Sequence, residues 1–195
     1  NLRLYSMAYD LKNVFYLDTS ALVTAASTGD GTAQLDLSAY IDPIARGRTK
    51  GTGLAIYRAH FNVSGMTGGG AATSTPIEPA EVGVMSVGLV AGLGLGDNAT
   101  GAIGLTGETF LNTNNLLVAA SHYYSPGASA SQAGNFMTVE PSDDVPYVIV
   151  RDNVCLAYSV EDAFAGGATI SVRLECAQVT LDQATLNQLL RTQTV

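Results

Sequence analysis

Residues 146–160, PYVIVRDNVCLAYSV, and residues 168–178, ATISVRLECAQ, decide the fold. In the first, the even positions carry Val148, Val150, Val154, Leu156, Tyr158 and Val160; in the second they carry Ile170, Val172, Leu174 and Cys176. An apolar residue at every second position marks a strand with one buried face, because successive side chains leave opposite sides of the pleat. Pairing the two runs as a hairpin buries both sets only if even residues oppose even ones, for example Val160 with Ile170 and Leu156 with Leu174. A slip of one residue would throw one set into water, so this register is the expected one. It points Cys155 outward and Cys176 into the core, leaving two unpaired thiols. The 20 residues between them do not make a zinc spacing, and there is no second cysteine pair.

Working outward, short runs rich in Val, Ile, Leu, Tyr and Thr recur between clusters of Gly, Pro, Asn and Asp, an all-β signature. Strands are expected at NVFYLDT (13–19), AQLDLS (33–38), LAIYRAHFNVS (54–64), EVGVMSVGLVA (81–91), NLLVAASHYY (115–124) and FMTVE (136–140). SGMTGGGAATSTPIEP (64–79), GLGLGDNATGAIGLTGE (92–108) and SPGASASQAGN (125–135) read as loops by composition. Long loops are usually functional or engaged by a partner. After the last strand the period changes. Asp182 or Thr180 can cap a short helix that places Leu186, Leu189 and Leu190 on one face, with Arg191 near its C-terminal end. The chain reads as one domain over 1–195, with 180–195 its C-terminal helix and tail.

The bulk numbers exclude several classes. With 195 residues, 47% of them apolar, the chain can bury a real core without metals or disulfides. Charged residues make up 13%, about half the usual share, and a surface poor in charge hints at covered subunit contacts. A net charge of −8 argues against a free-standing nucleic-acid binder. No apolar run reaches the roughly 20 residues that span a bilayer, the longest, VGVMSVGLVAGLGLG (82–96), being broken by glycines.

Chemistry-bearing patterns are few. GVMSVG (83–88) approaches the G-x-S-x-G nucleophile elbow, but Gly83 falls one residue too early. His60 and His122 are the two histidines, and both read as structural. AGLGLGDN (91–98) has Asp97 where a dinucleotide fingerprint needs its third glycine, and no helix follows. Glu140, Asp143 and Asp144 lie within five residues and could supply part of a Ca²⁺ site at a subunit contact, against the plainer reading of a solvated turn. Asn62 and Asn98 sit in N-x-[ST] patterns. Sugar stacking would fall to the nine tyrosines, since tryptophan is absent. In DPIARGRTKGTG (42–53), Arg46, Arg48 and Lys50 lie in a loop opened by Asp42-Pro43. They are candidates for non-specific phosphate contact, or for ion pairs with this chain's own acids. No catalytic residue and no cofactor other than that Ca²⁺ is expected.

About eight strands, long loops, few charges and no catalytic constellation resemble a single jelly roll, the layout of the coat proteins of small icosahedral viruses. The resemblance rests on architecture and composition. It implies an eight-stranded β-sandwich, self-association into a closed shell, a place in the virion, loops at subunit contacts, and a C-terminal helix that latches a neighbour. Many such proteins carry a basic N-terminal arm against the genome; here residues 1–14, NLRLYSMAYDLKNV, hold only Arg3 and Lys12. That leaves the Arg46, Arg48, Lys50 loop as the candidate for the shell interior. The rival readings are a phage tail-tube or decoration protein, and an extracellular β-sandwich binding module.

Overall fold

The computed structural model describes residues 14–42, 50–67, 71–76, 82–92, 116–126, 134–164 and 167–193. They form β1 (Val14–Val23), β2 (Gly29–Asp36), β3 (Lys50–Thr67), β4 (Ala71–Pro76), β5 (Val82–Ala91), β6 (Leu117–Pro126), β7 (Gly134–Val139), β8 (Tyr147–Ile149), β9 (Asn153–Asp162), β10 (Ala168–Asp182) and a helix, α1 (Gln183–Thr192). Two antiparallel sheets result. The first runs β1-β10-β3, and both β8 and β4 pair with β3, β8 opposite Leu54–Ile56 and β4 opposite residues 64–67. The second runs β2-β9-β5-β6-β7.

Set apart β4 and β7, and the order is β1-β10-β3-β8 facing β2-β9-β5-β6. This is the strand order of an eight-stranded jelly roll: the chain passes repeatedly from one sheet to the other, and the first and last strands end side by side. β4 lies inside the glycine-rich stretch 64–79 expected to be loop; its small residues gave no period for a strand reading.

The expected hairpin of β9 on β10 is not formed. Within β9 and β10 the alternating residues Val154, Leu156, Val160, Ile170, Val172, Leu174 and Cys176 are buried as predicted, but β9 pairs with β2 and β5, and β10 with β1 and β3. Leu156 sits between Ala33 and Leu89 in one ladder, and Leu174 between Leu17 and Ala59 in the other. The two apolar faces therefore meet across the core instead of lying side by side. Alternation fixes which face is buried but not what buries it, and the connection decides. Phe164 is fully buried in that connection, and its carbonyl accepts bonds from Ala26 N–H (2.8 Å) and Gly167 N–H (3.1 Å). Gly167 turns the chain at φ +80°, where a Cβ would lie 2.7 Å from the Val23 carbonyl oxygen.

The run 146–160 is likewise not one strand. It breaks at 150–152 and moves from the first sheet to the second, which reverses its phase. Val148, expected in the core, packs outside it with Ala55, Tyr57 and Ala177, and Ile149 takes the inward place. A bulge in β3 does the same: Glu175 opposes Arg58 but Cys176 opposes Ile56. Tyr57 is the extra residue, so the inward positions change from Leu54 and Ile56 to Ala59, Phe61 and Val63.

Both cysteines are free, as expected, though for another reason. Cys176 faces the core from the first sheet. Cys155 lies on the side of β9 away from the core, yet it is buried rather than outward-exposed, because both faces of this central strand are covered. Burial pushes the Cys155 thiol up and the Cys176 thiol up to about 12, so both stay protonated and unreactive.

Candidate assembly and binding surfaces

The outward face of the first sheet is built in rows set by the ladder. Tyr16, Glu175 and Arg58 form one, Asp18, Arg173 and His60 the next, and Ser20, Ser171 and Asn62 the third. Diagonal contacts tie the first two together. His60 Nε2 lies 2.8 Å from Glu175 Oε1, and the Arg173 guanidinium sits 5.8 Å from the centre of the Tyr16 ring. Over this face runs an open groove of about 620 Å³ between β1, β10 and β3, with Tyr16, Asp18, Asn62 and Arg173 among its walls. Tyr16 is 62% exposed there.

Of the predicted basic trio, Arg46 and Arg48 lie outside the described residues. Lys50 is exposed at the start of β3, opposite Asp182 in the ladder. Asp182 caps α1: its Oδ1 accepts Thr185 N–H at 2.7 Å. That bond holds the carboxyl below its ordinary range, with Lys50's charge a smaller contribution.

The acids Glu140, Asp143 and Asp144 are all exposed. Asp143 is taken by Arg58, with Nη2 to Oδ2 at 2.7 Å. The Arg58 pKa is raised, first by that bond and then by the charges of Asp143 and Glu175. Among the described residues no three His, Cys, Asp or Glu side chains are grouped to hold a metal ion.

Sequence reasoning found no convergence between GVMSVG and the histidines, but the β5–β6 ladder sets Ser86 opposite His122, with Oγ to Nδ1 at 2.8 Å. Ser86 is 3% exposed and lies mid-strand, so this bond satisfies a buried hydroxyl and offers no open nucleophile. The pairing could be found only once the β5–β6 register was known.

The helix packs on its own sandwich. Leu186 is fully buried against β3, where Gly51 leaves it room: a Cβ there would lie 2.8 Å from Leu186 Cδ2. The following Gln193, 3% exposed, donates through Nε2 to the Val148 carbonyl at 2.6 Å and accepts Val150 N–H at 3.1 Å. The helix is thus tied to its own β8. A recess of about 640 Å³ remains between it and the first sheet, lined by Tyr57, Val148, Val179, Leu181 and Leu189 among others.

No family model matches the chain, and no curated protein matches it. Among solved structures it is similar to apo New Jersey polyomavirus VP1, at 8% identity over 87% of this chain and 100% of that one, with a TM-score of 0.45. VP1 of the trichodysplasia spinulosa-associated polyomavirus, in complex with sialylated glycooligomers, matches at 9% identity over 87% and 95%, TM-score 0.40. Merkel cell polyomavirus VP1 in complex with disialyllactose matches at 6% over 87% and 95%, TM-score 0.36. These likenesses are distant, and it is the strand order of the two sheets that makes this chain a jelly roll.

Proposed function

We propose that the chain is a viral coat subunit that self-assembles into a closed icosahedral shell around a genome. The observation that carries this reading is the complete jelly-roll strand order, formed without a reaction centre among the described residues and with its distinctive features on open faces and edges. A sandwich of this shape packs edge to edge, and copies of itself are the first partner. The loop with Arg46, Arg48 and Lys50 is the element proposed to face the packaged nucleic acid, as weak, salt-sensitive phosphate contacts. A Ca²⁺ ion at Glu140, Asp143 and Asp144 would compete with Arg58 for Asp143. A cation there would need ligands from a second subunit.

The test is the mass of the purified chain in solution, followed by negative-stain imaging of the largest species. Closed shells of tens of subunits support the reading. Rings or stacked tubes would replace it with a tail-tube role, and a stable monomer or trimer would move it to a binding module working through the Tyr16 groove.

A further inference from the structure

We infer that β1 is a self-pairing edge: two copies join β1 to β1 antiparallel, making one continuous sheet across a two-fold axis at Thr19. The inference stands on the edge itself and does not depend on the shell reading.

Among the described residues β1 pairs with no strand but β10, so its other side is an open edge, on which the Leu22 carbonyl accepts the Tyr158 hydroxyl at 3.1 Å. Such edges are normally blunted by proline, lysine, a bulge or short length. β1 has none of these. It runs unbroken for ten residues, VFYLDTSALV, with no register shift against β10. Its outward positions include Val14, Tyr16 and Leu22, exposed by 49%, 62% and 62%. On the inward side Phe15 and Leu17 pack on the core but stay only partly buried, so the sandwich is open at this margin.

The pleat restricts how a second copy can add. Residues directly opposite must share a face, so even must meet even and odd must meet odd. Centring the axis on Asp18 sets that carboxylate against its own copy, and like charges directly opposite are destabilising. Centring it on Ser20 sets Asp18 against Leu22 and shortens the ladder. Centring it on Thr19 engages residues 15 to 23 and avoids both faults. Tyr16 then meets Leu22 of the second copy twice over, Asp18 meets Ser20, Leu17 meets Ala21, and Phe15 meets Val23. The half-buried Phe15 and Leu17 gain cover at the same time. Main-chain bonds would supply the attraction and these pairs the register.

Two measurements decide it. Mild oxidation of the full-length Thr19→Cys variant is expected to give a disulfide-linked dimer, because only this register sets residue 19 against itself. Cys155 and Cys176, both buried, stay silent. Ser20→Cys is the control and is expected to stay uncrosslinked; cross-linking of Ser20→Cys, or of neither variant, overturns the register. Sedimentation velocity keeps the inference testable if Thr19→Cys fails to fold. Leu22→Lys, at an exposed site, is expected to weaken the wild-type dimer about tenfold, since both Tyr16–Leu22 pairs are lost together. A wild-type chain with no dimer at high concentration, or a dimer indifferent to Leu22→Lys, overturns the inference. Shells without the Thr19 cross-link would refute this edge and leave the coat reading intact; cross-linked dimers that never form shells would do the reverse.

Discussion

Replacing Phe164 with alanine tests the crossover on which the jelly-roll order depends. The ring is fully buried and lies 6.0 Å from that of Tyr123, on the other sheet's side of the connection from β10. Burying a phenylalanine stabilises by about 1.5–3 kcal/mol, and the cavity left by its removal raises the cost to roughly 3–5 kcal/mol. The backbone carbonyl that receives Ala26 and Gly167 survives the change, so the loss is that of the ring. With a total stability of order 5–15 kcal/mol the variant should still fold at room temperature. Urea unfolding followed by circular dichroism should show the midpoint lowered by about 1–3 M with an unchanged slope. Had β9 and β10 formed a hairpin, residues 163–167 would be a surface turn, and such a change would stay within about 0.5 kcal/mol. A measured loss below about 1 kcal/mol therefore refutes the crossover. Gly167→Ala should agree in sign, because at φ +80° its Cβ meets backbone at Val23 and Ala25, which cannot yield as a side chain would.

Leu174→Asp should abolish folding by burying an unpaired charge, whereas Glu175→Gln, one residue on, should shift stability by no more than about 0.5 kcal/mol. The reverse order in thermal melts would invert the assigned faces of β10. Gln193→Ala leaves the Val148 carbonyl and Val150 N–H without their side-chain partner, a cost of about 1–3 kcal/mol, and hydrogen exchange should speed up in α1 before the sheets. Asp182 gives a pH dependence. Its folded pKa lies below the ordinary 3.8, so its stabilisation is full above that value and is lost as the pH falls through the folded pKa. Asp182→Asn, which keeps a cap, should flatten the part of the acid limb that lies below the ordinary carboxyl value of 3.8. An unchanged limb would remove Asp182 from the account.

The sequence carried faces better than partners. The even residues of β9 and β10 were legible as buried because alternation records burial directly. Their placement in opposite sheets was not, because a neighbouring strand and a facing sheet leave the same pattern. Val148 was misassigned, and the inward phase of β3 could not be followed past Tyr57, for a related reason. A crossing at 150–152 and a bulge at Tyr57 each shift the phase by one, and neither Val150-Arg151-Asp152 nor Ile56-Tyr57-Arg58 contains a glycine or proline to announce it. The cap at Asp182 and the leucine face of α1 were readable, since a cap is a local bond and a helix face a local spacing. Gln193 was not, because its two bonds reach back to Val148 and Val150. The groove residues Tyr16, Asp18, Asn62 and Arg173 become a set only when β10 is inserted between β1 and β3.

The low charge of the chain, 13%, acquires a different meaning once the strands are placed. Charge is unevenly placed: it is absent from the middle of the inner strands of the second sheet. On the first sheet the outward face carries Asp18, Arg58, His60, Arg173 and Glu175, mostly exposed. On the second sheet the outward positions of β2 include the exposed Asp30 and Asp36, but the mid-strand ones of the inner strands, Cys155, Ala157 and Ser159 of β9 beside Val90, Gly88 and Ser86 of β5, are all buried. A charged side chain could not be held there without a partner. Part of the deficit therefore belongs to the subunit's own folding, and composition by itself does not require a neighbour. What would call for one is local: the β1 edge, without proline, lysine or bulge, which leaves Tyr16 and Leu22 exposed.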